Sequence, residues 1–173
     1  PAPYWVSYPA MVSLAGGKNI IIETNEDTGF KVTPEQLNAA ITPKTKMLIL
    51  CNPSNPTGSA YTKSELEALA DIVLKNKFYV LSDEIYEKLV YDDFEFISFA
   101  ALDPEMKKKT ILVNGISKTY AMTGWRIGYT AGPEDIISAI NKIQSHTTSH
   151  ASSISQHAAI EAVAGPQYVI HEM

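Results

Sequence analysis

Three short apolar runs recur along the chain: Met47–Cys51, Phe78–Leu81 and Ile111–Val113. A continuous apolar run this short is the signature of a strand buried on both faces. The segments between and around them change period. Thr62 followed by Glu65 matches a capping box, and Leu66, Leu69, Ala70, Val73 and Leu74 then recur at helical spacing. Before the first run, Thr33 is placed as an N-cap with Pro34 at the first helical position, and Leu37, Ala40 and Ile41 give an apolar face. After the third run, Ile127 to Thr130 reads as a short strand. Pro133-Glu134 then opens a long helix, and Ala158 to Ala164 reads as a second one before Gly165-Pro166. Ile20-Ile21-Ile22 is a further β-branched run ending at Glu23. Strand and helix in alternation imply right-handed crossovers and an α/β fold with a mainly parallel sheet.

Charge and composition narrow the function. There are 14 Lys+Arg against 19 Asp+Glu, a formal net charge of -5. A nucleic-acid binder needs a basic face, so that class is set aside. Lys107-Lys108-Lys109 then reads as a solvated turn before a strand. No apolar run approaches the roughly 18 residues of a membrane helix. The lone cysteine, Cys51, rules out an internal disulfide and fits a reducing, cytoplasmic setting. Of the 14 basic residues only Arg126 is an arginine.

In open α/β sheets ligands bind beyond the carboxyl ends of the strands. Polar clusters follow all three apolar runs: Asn52 to Gly58, Asp83 to Tyr86, and Asn114 to Lys118. Adjacent strands would bring an amide, a carboxylate, a phenol and an amine into one cleft. A lysine in a cleft is opposed by desolvation, and a lowered pKa makes its amine a Schiff-base former. Arg126 lies eight positions beyond Lys118 across a glycine-containing turn, and arginine suits bidentate phosphate recognition. Ser117 adds a hydroxyl. Taken singly, each cluster has a plainer reading: Ser117-Lys118 as a loop, Asp83 as a helix N-cap, Asn55-Pro56 as a tight turn. Their recurrence after successive strands favours a site.

Other sites do not match. The chain has no Gly-x-Gly-x-x-Gly, no Gly-Lys-Ser/Thr and no Gly-x-Ser-x-Gly. His146 and His150 are spaced for one helix face but lack a third ligand, so they read as surface and no metal site is expected.

The segments Pro3-Tyr4-Trp5-Val6-Ser7-Tyr8-Pro9, Asn52-Pro53-Ser54-Asn55-Pro56-Thr57-Gly58, Ser82-Asp83-Glu84-Ile85-Tyr86 and Ser117 to Tyr129 resemble the pyridoxal-phosphate-dependent class I and II aminotransferases of fold type I. The flavour is that of the prokaryotic-type aspartate subgroup. The resemblance implies a three-layer sandwich with a mainly parallel sheet. It implies that residues 1–173 are the central part of the large cofactor-binding domain, with an N-terminal segment and a C-terminal small domain lying outside it. It also implies roles. Lys118 holds pyridoxal 5'-phosphate as a Schiff base and later shuttles the substrate proton. Asp83 pairs with the pyridine nitrogen. Tyr86 and Asn55 contact the phenolic oxygen, and Asn55 also the substrate carboxylate. Arg126 and, more weakly, Ser117 hold the phosphate. Trp5 stacks on the ring and offers its indole N–H to the substrate. Trp125 and Tyr129 are read as packing, and Pro56 as a cis proline.

Position 115 departs from the pattern: it is Gly where some relatives carry a phosphate-binding Ser. No arginine remains for the substrate carboxylate. The implied activity is transfer of an amino group between an amino acid and a 2-oxo acid, aspartate with 2-oxoglutarate being the preferred pair, in a homodimer. Alternatives are an alanine or aromatic aminotransferase on the same scaffold, or, for the isolated chain, a module without activity.

Overall fold

A computed structural model describes all residues, 1–173. Four strands form one sheet in the order β1 (Met47–Cys51), β2 (Tyr79–Asp83), β3 (Thr110–Gly115), β4 (Gly128–Ala131). The first three are parallel and β4 is antiparallel to β3, so the sheet is mainly parallel, as expected. Around it lie α1 (Ser7–Leu14), α2 (Pro34–Ala40), α3 (Lys63–Lys75), α4 (Pro104–Lys107), α5 (Glu134–Thr147), α6 (Ser153–Ala164) and α7 (Tyr168–Glu172).

The local signals behave as their chemistry requires. Thr33 and Thr62 each accept from the backbone N–H three residues on. Gln36 and Glu65 reach back to the cap backbone, so both helices start on complete capping boxes. In α3, Leu66, Leu69, Ala70 and Val73 are buried, while Leu74 turns outward. They meet Leu48 and Leu50 of β1, Val80 of β2, Phe78, Leu37 of α2, Phe99 and Met106 in one apolar core. Tyr61 closes this core at the β1 side. Its hydroxyl accepts from the Val32 N–H at 2.8 Å, and its own N–H donates to Asn52 Oδ1 at 3.0 Å.

The expectation that the apolar runs are buried on both faces is not met: Leu81 of β2 and Leu112 and Val113 of β3 are half-buried, and β1 is covered on one face only. Leu48 and Leu50 are buried, but Met47 is 39% exposed and Ile49 and Cys51 are half-buried. β1 is the edge of the sheet. Its open side and Ile20, Ile21 and Ile22 together border a cavity of about 860 Å³. The Ile20–Ile22 run joins no sheet. It forms a parallel bridge between Ala2 and Glu23, with Ala2 N–H to Ile22 O at 2.8 Å and Thr24 N–H to Ala2 O at 3.1 Å, and Ile22 packs against the core. The helices α1, α5 and α7 bury no residue. No helix is long and apolar enough to cross a membrane. His146 lies in the last turn of α5, and His150 falls beyond its end, so the two do not share a helix face.

Leu66→Ala is expected to lower unfolding stability by about 2–5 kcal/mol, because α3 cannot collapse into the space left against β1 and β2; urea denaturation reads this. Burial pushes the Tyr61 phenol up to about 12. Its folded value is raised, so its contribution is fully present below the unfolded value of about 10 and is lost as pH rises above it. Urea midpoints across that alkaline window should fall less steeply in Tyr61→Phe than in the unsubstituted protein.

Candidate active site

The parallel register sets the site. Cys51 pairs with Asp83, and Asp83 with Val113, so the three polar loops leave the sheet at one level. The ladder runs one residue further, with Asn52 N–H to Asp83 O at 3.0 Å and Glu84 N–H to Val113 O at 2.9 Å.

Alternation along β2 turns Val80 and Ser82 to the core and leaves Asp83 half-buried on the other face. Its Oδ2 accepts from the Tyr8 hydroxyl at 2.5 Å, and its Oδ1 from the Ile85 N–H at 3.3 Å. The latter bond is an Asx turn, and no α-helix follows, so Asp83 is not a helix N-cap. Tyr86 lies three residues on. Its hydroxyl accepts from Asn55 Nδ2 at 3.3 Å, and Lys118 Nζ sits 5.8 Å from its ring centroid. Asn55 is positioned by a loop with cis bonds at Asn52-Pro53 and Asn55-Pro56, the second as expected. Lys118 is exposed, and its amine makes no hydrogen bond or salt bridge beyond this approach to the Tyr86 ring.

Trp5 reaches this group indirectly. It packs edge-on against Tyr8, with ring centroids 5.4 Å apart, and Tyr8 holds Asp83. Arg126 and Ser117 stand apart: neither side chain bonds to the other five. Arg126 instead donates to Thr123 O at 2.8 Å within its own turn. Arg126 occupies the left-handed backbone region at φ 54, and Ala121 at φ 53, whereas Gly124 does not need glycine's freedom. Trp125 and Tyr129 are 42% and 46% exposed, so they do not pack as expected; they lie on the surface of the Thr123–Trp125 turn and of the edge strand β4.

Sequence reasoning missed two residues. Tyr8 was part of a quoted motif but was given no role; its partner is 75 positions away, beyond any local signal. Cys51 was read only for redox setting, although taking the apolar runs as adjacent parallel strands in register would have set it beside Asp83. Burial, then the Asp83 and Cys51 groups, pushes the Tyr8 phenol far above its ordinary range, so it remains a donor. Burial and the Asp83 charge push the Cys51 thiol up, against opposing bonds from Asn55 and Tyr8. Tyr86 is also raised, first by burial, with Asn55 pulling the other way. All three stay protonated near neutral pH.

The profile of "Aminotransferase class I and II" matches residues 1–173. The chain belongs to the class I and II aminotransferase family. It is 53% identical over 173 residues to an aspartate aminotransferase of Geobacillus stearothermophilus, covering 100% of this chain and 44% of that protein. It is 54% identical over 168 residues to an aspartate/prephenate aminotransferase of Cereibacter sphaeroides, covering 96% and 42% respectively. Among solved structures, the aspartate aminotransferase of Rhizobium meliloti superposes with a TM-score of 0.97 at 46% identity, over 99% of this chain and 43% of that one. The chain thus spans less than half the length of these family members.

The chemistry of Lys118, Asp83, Tyr86 and Asn55 (an amine without a partner, a carboxylate, a phenol and an amide) is compatible with the pyridoxal phosphate that the family implies, whereas Arg126 is turned to Thr123 O. At position 115 glycine is needed for space. A Cβ there would lie 2.8 Å from Ile127 O and 3.1 Å from the Gly128 Cα, both backbone atoms. Gly115→Ser is therefore expected to destabilise the fold by about 1–3 kcal/mol through overpacking against β4. Gly115→Ala should show the same loss in urea unfolding, which separates the steric effect from the hydroxyl.

Proposed function

We propose that residues 1–173 form the central part of the cofactor-binding large domain of an aminotransferase. It moves an amino group between an amino acid and a 2-oxo acid. One observation carries the reading: Asn55 and Lys118 gather about Tyr86, three residues from a tethered Asp83, in a chain of this family.

The bound cofactor supplies an electron sink for the carbanion at the substrate α-carbon. The chain's own residues do the rest. Lys118 Nζ would hold the cofactor through its aldehyde, and its amine is the base that would take the proton from the substrate α-carbon. Asp83 holds a proton on the pyridine nitrogen. Its Oδ2 is held by Tyr8 and its Oδ1 by the backbone, so its direction in the cleft is set before the cofactor arrives. Tyr86, protonated and already accepting from Asn55, has its hydroxyl hydrogen free to donate to the phenolic oxygen. Asn55 adds a second contact there and one to the substrate carboxylate. Arg126 and Ser117 take the phosphate, which requires the guanidinium to leave Thr123 O. Trp5, held by Tyr8, stacks on the ring.

The named relatives favour aspartate as amino donor, with 2-oxoglutarate as its partner in this proposal. The aromatic aminotransferase of Pyrococcus horikoshii, with a TM-score of 0.96 at 41% identity, keeps an aromatic donor as the second reading. A cytoplasmic homodimer completes the proposal. It draws on the single free cysteine and on the exposed apolar residues Val6, Met11 and Leu14 along α1.

Adding pyridoxal phosphate to the full-length protein that contains this chain should produce a visible absorption band. Lys118→Ala should abolish the band and lower transamination by at least about a hundredfold. A band that survives this substitution would overturn the assignment of Lys118. Side-by-side rates with aspartate, alanine and phenylalanine against 2-oxoglutarate then rank the donors, and an inactive module would show none.

A further inference from the structure

Glu84 sits between Asp83 and Tyr86 in sequence, yet its side chain lies on the opposite face of the strand end. It is 1% exposed. Its Oε1 accepts three hydrogen bonds: from Ser82 Oγ at 2.8 Å, Ser98 Oγ at 3.0 Å and the Phe99 N–H at 3.0 Å. Burial pushes its carboxyl pKa up, and the three donors pull against that. A buried carboxyl is costly unless its acceptors are filled, so three donors converging on one oxygen mark a built contact.

The position of those donors gives the contact its consequence. Ser98 and Phe99 follow the Ile85–Ile97 loop, which carries Tyr86. Phe99 is itself anchored in the core at 1% exposure. Within the loop the backbone bonds are short-range turns, Leu89 N–H to Tyr86 O at 2.8 Å and Phe94 N–H to Tyr91 O at 3.1 Å. Asp92 and Asp93 both take left-handed backbone angles, at φ 55 and 59. No side chain from Glu87 to Ile97 makes a hydrogen bond or salt bridge. The side-chain polar ties between this loop and the rest of the molecule are therefore the Asn55–Tyr86 bond, the Asp83 Oδ1 contact to the Ile85 N–H at its first residue, and the Glu84 cluster, which alone joins its two ends.

We propose that Glu84 is a positioning residue for the cofactor site. Its carboxyl clamps the two ends of the Ile85–Ile97 loop together and so holds Tyr86 beside Asn55 and Lys118. This rests on the role given to Tyr86 above.

The test uses the full-length protein with Glu84→Gln, which keeps the shape and removes the charge, and with Ser98→Ala, which removes one donor from across the loop. Three quantities are read: protease cleavage within 85–97 without cofactor, pyridoxal phosphate affinity, and the pH midpoint of the visible band. Both variants should keep a native circular dichroism spectrum, be cut faster in the loop and shift the midpoint. Glu84→Gln should bind the cofactor roughly tenfold more weakly. If Glu84→Gln does not fold, Ser98→Ala decides the matter with the same readouts. A lowered melting temperature with unchanged affinity and midpoint means a merely structural contact and overturns the proposal. If the unsubstituted protein gives no band, the cofactor reading fails instead, and the cleavage rates alone decide whether the clamp exists.

Discussion

The level at which three parallel strands end governs everything the cleft contains. Cys51, Asp83 and Val113 are paired across β1, β2 and β3, and the loops that follow each strand start from that line. Side chains alternate across a strand with a period of two, so a slip of one residue would exchange the faces of Asp83 and Glu84. The core prevents such a slip. Leu48, Leu50 and Val80 are buried against α3, and moving any one strand by a residue would turn these to the open face. The same apolar packing that stabilises the sheet therefore aims a carboxylate into the cleft.

Much of this was legible because its signals are local. Thr33 and Thr62 with their partners three residues on, and the apolar runs themselves, are encoded within one turn or one strand. The meeting of Asn55, Tyr86 and Lys118 was legible for a related reason: each lies in a segment that follows one of three paired strands. What stayed hidden depends on distant pairing. The Tyr8 hydroxyl meets Asp83 across 75 positions, and Ser98 meets Glu84 across 14. β1 was misread as buried on both faces because an apolar pentapeptide looks the same at a sheet edge as in its centre. Tyr129 is exposed because β4 is an edge strand, and Trp125 because it lies in the Thr123–Trp125 turn, and neither placement shows in the motif that contains them.

Backbone demands explain two positions that side-chain chemistry leaves puzzling. Gly115 permits the close approach of β3 to β4, since any Cβ would meet the Ile127 carbonyl. Arg126 takes a left-handed conformation that L-residues adopt only at a cost, and Thr123 O holds its guanidinium in that turn.

Asp83 and Glu84 put two carboxyls at adjacent positions near one site, an arrangement that would be repulsive if both faced the cleft. Strand alternation separates them. Asp83 stays half-buried with one phenolic and one backbone donor, and so keeps acceptor capacity toward the open side. Glu84 is fully buried, with its Oε1 taken up by Ser82, Ser98 and Phe99. The two environments divide the work. The carboxyl with spare capacity faces the cleft, while the one engaged by three donors ties the loop to the core. Tyr86 belongs to the loop that Glu84 ties down, three residues beyond Asp83, so the carboxylate in the cleft and the phenol beside it take their relative placement from the neighbour that faces away from both.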